Sequence, residues 1–248
     1  TLSSRQNLFV HFVDSDRRQS KTNAFFYPVS GTTLTYANKG VALGYNLVVT
    51  PSTVLDAHLT WTRFVNSNIV NSQGLLNATS IGMPDYLVTG MGYAANSFPN
   101  IATTGYQPLA DKSNIVSHDD VTLASLQISH LLRSHYLRAG VEYRMYNTNG
   151  GSGAGNNGAY AATGNYATLN SNTTAPSIGF GLAQLETGIL STSKLTLNSD
   201  YALRSNYIAG WLMDDWKATS KLTINAGLRY EYEGPNSERH DKANTYFD

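Results

Sequence analysis

The 248-residue chain contains no cysteine. That excludes a disulfide framework and any thiolate metal site, and it suits an oxidising envelope. Charge is scarce: Asp, Glu, Lys and Arg make up 14% of the residues, against roughly 25% in an ordinary soluble protein. Such a deficit argues against a surface in free contact with water. Neither sign dominates, with 17 basic and 17 acidic residues, so nothing points to nucleic acid or another polyanion as partner. Long apolar runs are missing too. No segment approaches the ~20 residues of a transmembrane helix, and clusters such as Leu47–Val49 are short. A β-barrel escapes such a scan because every second residue is polar. No Met and no basic-then-apolar leader stand at Thr1. Both ends are expected to be cut from a longer protein.

What the chain has is alternation. The second arm of the hairpin 207–233 carries Leu222, Ile224, Ala226, Leu228, Tyr230 and Tyr232 on one face. Thr223, Asn225, Gly227, Arg229, Glu231 and Glu233 occupy the other. Soluble strands usually stop at about 5–6 residues, whereas a tilted strand crossing a bilayer needs about 9–11. The same pattern predicts strands near 6–16, 40–50, 54–65, 121–131, 136–146, 203–217 and 221–233. Short turns at 51–53, 132–135 and 218–221 alternate with long loops near 17–39, 66–119 and 147–200. An up-and-down outer-membrane barrel has that asymmetry, with short periplasmic turns and long outside loops. The expected fold is therefore all-β: an antiparallel up-and-down transmembrane β-barrel segment, with residues 1–248 as one partial barrel domain. Bacterial single-chain barrels have even strand numbers, so seven strands are expected to stay open. Val41, Leu43, Tyr45, Leu47, Leu55, Leu59, Trp61, Leu137, Val141, Leu222, Ile224 and Leu228 are expected to face lipid. The Gly-, Asn-, Ala- and Thr-rich stretch 147–174 is too poor in apolar groups to fold alone, and 178–203 is open between several readings.

Candidate functional residues fall into two sets. Glu142, Arg144, Arg229 and Glu231 lie on polar strand faces. They read either as a lumen lining that meets substrate or as cross-strand ion pairs satisfying one another, and the second is preferred. Trp61, Trp211, Trp216, Tyr230 and Tyr232 sit near strand ends, where aromatic girdles anchor barrels at the interface. Core aromatics of a soluble sheet are the alternative. Other signals are weaker. Gly153-Ala154-Gly155-Asn156-Asn157-Gly158 matches a dinucleotide-binding glycine pattern, but no helical period follows, so it reads as a flexible loop. His130 and His135 flank one turn without a second ligand pair. Asp111, Asp119 and Asp120 lack an EF-hand pattern for calcium. Asp214-Asp215 cannot form a catalytic dyad, because adjacent strand residues point to opposite faces. No cofactor or metal is expected.

The run Trp211-Leu212-Met213-Asp214-Asp215-Trp216-Lys217, continuing through Leu222-Thr223-Ile224-Asn225-Ala226-Gly227-Leu228-Arg229-Tyr230-Glu231, resembles a hairpin of TonB-dependent outer-membrane receptors of the Oar-like type. Phe98-Pro99-Asn100-Ile101, and His135-Tyr136-Leu137-Arg138-Ala139-Gly140-Val141-Glu142-Tyr143-Arg144, are similar to another segment of the same barrels. The resemblance implies a barrel of about 22 strands around a plug domain, energised through TonB and set in the outer membrane of a Gram-negative bacterium. It implies contact with outer-membrane lipid and uptake of an extracellular substrate that the sequence does not name; loops rich in Asn, Ser, Thr, Gly and Tyr suit a glycan or a peptide, and disordered loops share that composition. No plug or TonB-contacting segment is found in these residues. The competing reading is an extracellular β-sandwich for binding or adhesion, since sandwich strands also alternate. An enzyme is not expected, because no nucleophile, base and orienting group can be assembled.

Overall fold

The computed structural model describes residues 3–21, 25, 27–111, 115–151, 155–167, 179–197 and 200–241. The strands are β1 (Gln6–Ser20), β2 (Thr32–Thr50), β3 (Thr53–Val70), β4 (Asn100–Thr103), β5 (Ile115–Leu132), β6 (His135–Gly151), β7 (Ala159–Ala162), β8 (Thr192–Lys194), β9 (Asp200–Lys217), β10 (Thr223–Glu233) and β11 (Ser237–Glu238). Two short helices, α1 (Asp85–Met91) and α2 (Phe180–Glu186), lie in the loops. The seven long strands form one antiparallel sheet in the order β1-β2-β3-β5-β6-β9-β10, and β11 adds to β9. The sheet does not close on itself; β1 and β10 are its edges. No second long sheet packs on either face among the described residues, which leaves the sandwich reading without its defining feature.

All seven predicted strands are present, and most run further than expected at the long-loop end. β2 begins at Thr32 rather than 40, β3 reaches Val70 rather than 65, and β5 begins at Ile115 rather than 121. Apolar alternation stops where the lipid-facing band stops, but backbone pairing carries on into polar sequence. The loops predicted at 17–39, 66–119 and 147–200 are correspondingly shorter and start from a raised rim of strand.

Register decides which side chains share a face. Leu8 pairs with Tyr45, Val10 with Leu43 and Phe12 with Val41. Val41 pairs in turn with Trp61, Leu43 with Leu59 and Leu47 with Leu55. The row through Leu55 continues to Ile128, Ala139, Leu212 and Leu228. Every residue expected to face lipid that lies within a paired strand is therefore on one side. Six of the twelve expected residues are exposed, among them Leu228 at 77%, Val141 at 57% and Leu59 at 49%, and the other six are half-buried. On β6 the apolar outward run extends from Leu137 to Met145. At about 3.4 Å per residue and the usual barrel tilt, that run matches a hydrocarbon band of ~25 Å.

Each outward run ends in a polar group at the long-loop end. Across six strands, polar residues at this level share one register row: Asp14, Lys39, Arg63, Asp120, Asn147 and Arg204. Within it Arg63 holds Asp120 in a two-point ion pair at 2.7 and 2.9 Å.

On the opposite face, two aromatic rings lie over cross-strand glycines. Phe9 pairs with Gly44 and Trp211 with Gly140. A Cβ built at either glycine would fall inside the facing ring. These contacts lock the register, because a one-residue slip would put a side chain under each ring.

Two tests follow from this geometry. Gly140→Ala should cost the full-length protein about 1–3 kcal/mol by overpacking against Trp211, and the loss should shrink when Trp211→Ala is added. Unfolding from lipid vesicles in denaturant measures both. Leu228→Arg should cost about 2–4 kcal/mol if it lies near the bilayer midplane; refolding indifferent to that change would place the apolar face away from lipid.

Candidate functional site

Four charged residues of the polar face, Glu142, Arg144, Arg229 and Glu231, form one connected cluster through Tyr207. Glu142 pairs with Arg144 at 2.5 Å along β6. Arg229 pairs with Glu231 along β10. The Arg229 guanidinium also donates to the Tyr207 hydroxyl at 2.9 Å. Arg144 lies over the Tyr207 ring at 5.1 Å, and Arg229 over Trp211 at the same distance. The ion pairs thus run along strands rather than across them. The reason is register: Glu142 faces Ser125 and Ala209, and Arg229 faces Trp211. Tyr207 makes the cross-strand link that a carboxylate would otherwise make. Nearer the short turns, Arg138 donates to Asp215 at 2.8 Å and covers Tyr136. The wall presents compensated charge, with three arginine–aromatic stacks among the pairs.

The five aromatics proposed for the membrane interface do not all share a side. Trp61, Trp216, Tyr230 and Tyr232 lie on the apolar face with Leu59, Ile224 and Leu228. Trp211 lies on the polar face, paired with Gly140 and Arg229. At the short-turn end Trp216 stacks on His135, with ring centres 5.4 Å apart, and His135 Nδ1 meets Asp214 Oδ2 at 2.7 Å. His130 bonds Thr53 across the sheet at 2.8 Å. The two histidines therefore serve different partners. Asp214 and Asp215 point to opposite faces, toward His135 and Arg138 respectively. Asp111, Asp119 and Asp120 are dispersed as well: Asp111 accepts from Lys21 at 3.2 Å and from the Gly31 amide at 2.8 Å, while Asp120 serves Arg63. No cluster of metal-ligating side chains occurs among the described residues.

The long loops are not structureless. They fold into a cap that holds most of the buried residues: Ala78, Met91, Ala94, Ala95, Ala110 and Ala162, with Ser97, Asn100, Asn156, Asn157 and Gln184. Its apolar centre is Ala78, Met91 and Ala95, packed with Met83, Val88 and Leu195. A three-stranded sheet, β4-β7-β8, joins the second loop to the third. Expecting the stretch 147–174 not to fold alone missed this joint structure. Residues 147–151 of that stretch continue β6, and 155–167 fold against β4 of the second loop and β8, with buried amides in place of apolar bulk. Asn157 donates to the carbonyls of Phe98 and Asp111, both at 3.0 Å. Asn100 donates to Ala110 O at 2.6 Å, and Gln184 accepts from the Gly164 amide at 2.7 Å. The glycine pattern 153–158 belongs to this cap. Gly153 and Ala154 lie outside the described residues, whereas Asn156 and Asn157 are fully buried at a turn, so the described part is a structural corner rather than a flexible loop.

Tyr93 ties the cap to the strand tips, donating to Gly151 O at 3.3 Å. Burial pushes its phenol above the ordinary tyrosine value, against the opposing pull of the Asn156 amide, and Asp200 adds to the rise. Burial likewise raises Tyr160. An open cleft of about 380 Å³ lies on the small sheet, lined by Asn100, Ala102, Ala159, Ala161, Thr192 and Lys194. None of these cap features was named from the sequence. The only signal available was the recurrence of Ala-x-Thr-Gly near 102 and 161.

An exposed apolar band on one face of long antiparallel strands, a charged opposite face, tight turns at one end and a folded cap at the other define a bilayer-spanning β-barrel wall. The chain belongs to the family described as "Outer membrane beta barrel domain", whose model matches residues 1–248. It is a protein of the Gram-negative outer membrane. No curated protein sequence matches it. The outer membrane transporter YddB from Escherichia coli is similar in structure, with a TM-score of 0.52 and 10% identity over 95% of this chain and 26% of YddB. The ferripyoverdine receptor of the outer membrane of Pseudomonas aeruginosa, solved with ferripyoverdine bound, aligns with a TM-score of 0.31 and 11% identity over 94% of this chain and 38% of that one. The likeness to YddB is one of fold, and this chain spans well under half the length of either protein.

The cap offers a direct test. Asn157→Ala should strand two buried carbonyls at about 1–3 kcal/mol each. In the full-length protein it should speed protease cleavage within 95–111 or 155–167 while the barrel keeps its resistance to unfolding by detergent. Cleavage at the wild-type rate would mean that Asn157 does not hold the loops together.

Proposed function

We propose that this chain is part of the wall of a TonB-dependent outer-membrane receptor of the Oar-like type, which takes up an extracellular substrate with energy from the inner membrane. The observation that carries the reading is the pairing of a charge-compensated polar face with a folded cap on an open-edged sheet. A polar face of arginine–carboxylate pairs and arginine–aromatic stacks suits a barrel whose interior is filled by protein rather than left as a wide aqueous channel. Glu142, Arg144, Arg229 and Glu231 are then the groups that meet the plug domain or the passing substrate. The hairpin 211–231 supports the same family by resemblance. The full-length protein does not catalyse in this reading; its work is recognition and transport, and recognition falls to the cap, since the tight turns offer little surface.

Two measurements test the proposal. The purified full-length receptor should bind the periplasmic domain of TonB from the same cell. Absence of binding by a correctly folded receptor would overturn TonB dependence. In intact cells, an epitope inserted at the exposed Ile81–Gly82 turn should be reached by antibody, whereas epitopes at Ser52 or Ser220 should not. The reverse pattern would invert the topology and remove the cap from the outside.

A further inference from the structure

The small sheet of the cap contains a repeated motif. Ala102-Thr103-Thr104-Gly105-Tyr106 and Ala161-Ala162-Thr163-Gly164-Asn165-Tyr166 share the pattern Ala-x-Thr-Gly followed by tyrosine. The two copies come from different loops, yet β4 and β7 pair in parallel and in register, Ala102 with Ala161 and Thr103 with Ala162. Pairing extends one residue further: the Thr104 amide donates to Ala162 O at 3.3 Å and its hydroxyl to Thr163 O at 3.2 Å. Both glycines then take a left-handed conformation, φ 87° at Gly105 and 90° at Gly164. Gly105 lies inside a tight turn closed from Tyr106 N to Thr103 O, and Gly164 opens one closed from Ala167 N to Gly164 O. A parallel pair sends both chains out at the same end, so the two tyrosines emerge on one rim. Both are exposed, Tyr106 at 46% and Tyr166 at 59%. Helix α2 stands beside them. Gly181 brings it against Ala162 O and Thr104 N, and Leu182 is left exposed next to it.

Among the described residues, the charged groups on the elements beside this rim are Glu186, the last residue of α2, and Lys194, which pairs with Ala159 at the start of β7 and so lies toward the other end of the small sheet. Residues 100–110 and 155–167 contain no Asp, Glu, Lys or Arg. The nearest acid in sequence, Asp111, is engaged by Lys21 and the Gly31 amide. Polar groups here are hydroxyls and amides: Thr104, Gln107 and the tyrosine phenols. The outer side of β4 is occupied by Leu109, which exchanges backbone hydrogen bonds with Ile101 at 3.0 and 2.9 Å. That closes the sheet edge beside the rings, where an extended peptide would otherwise add as a strand.

We infer that Tyr106 and Tyr166 form a paired platform for a neutral oligosaccharide. Two exposed rings accept the C–H faces of sugar units, whose partial positive hydrogens meet the negative faces of the rings. Hydroxyl and amide groups around the rings supply hydrogen bonds without selecting for charge. This inference deepens the receptor reading above and rests on it, by giving the cap a substrate class.

The test uses the full-length receptor in detergent and titration calorimetry. The probes are malto-, cello-, xylo- and manno-hexaose, with oligogalacturonate and a neutral hexapeptide as counter-probes. At least one neutral hexaose should bind. Tyr106→Ala and Tyr166→Ala should each weaken it about tenfold, the worth of one well-placed aromatic contact. Tyr106→Phe and Tyr166→Phe should stay near wild type, and unchanged protease resistance of the cap separates lost contact from lost fold. The inference is overturned if no neutral hexaose binds, if binding ignores both alanine variants, or if only oligogalacturonate or the peptide binds. Sugar binding with the predicted variant pattern but no TonB binding would uphold the platform and sink the transporter reading alone.

Discussion

Backbone hydrogen bonding is the constraint from which the rest of this architecture follows. In hydrocarbon an unpaired N–H or C=O has no water to turn to, so a spanning strand must pair along its whole length. The ladders here meet that demand with a single register shift, between Val48 and Thr50 at the tip of the β2–β3 turn. Because side chains alternate with period two, unbroken pairing passes facing from strand to strand. Leu47, Leu55, Ile128, Ala139, Leu212 and Leu228 share a side because the bonds between their backbones leave no other arrangement. The polar row from Asp14 to Arg204 ends the apolar band on six successive strands for the same reason.

Burial is distributed in an unusual way. The long strands contribute few buried apolar side chains, Val70, Ala202 and Ala209, and the first of these lies at a strand tip. Lipid on one face and the barrel interior on the other take the place of a core. The cap does have a core, a small one of alanine and methionine, and buried asparagine and glutamine amides complete it. Such amides bind backbone carbonyls that a glycine-rich loop would otherwise leave exposed. Polar bracing of this kind lets sequence poor in large apolar groups still adopt a fixed shape.

The barrel wall was legible in the sequence because lipid on one side imposes strict alternation, and alternation survives in a single chain. The polar tips of the strands were not legible, since above the membrane an outward residue no longer needs to be apolar. Trp211 was misplaced for a related reason. Its position near a strand end suggested an interface role, but facing is decided by parity: Trp211 pairs with Arg229 on the polar face, whereas Tyr230 pairs with Gly210 on the apolar one. The opposite facing of Asp214 and Asp215 could be read, because it needs only adjacency. The Arg63–Asp120 pair joins residues 57 positions apart and needs the β3–β5 register to be seen. The cap strands span only three or four residues, too few for periodicity to register. The repeated Ala-x-Thr-Gly was their one trace.

The parallel pairing of β4 with β7 bears on how this protein is assembled. These partners sit on either side of the β5–β6 hairpin in the chain. Their pairing closes a loop over the whole hairpin, so ordering the cap carries the closure cost of every residue between them and is favoured once that hairpin is itself in place. A wall that stalled with β5 or β6 outside the membrane would display its loops as separate, protease-sensitive tails. On the receptor reading proposed above, a closed cap would therefore accompany only a wall whose strands are threaded in order.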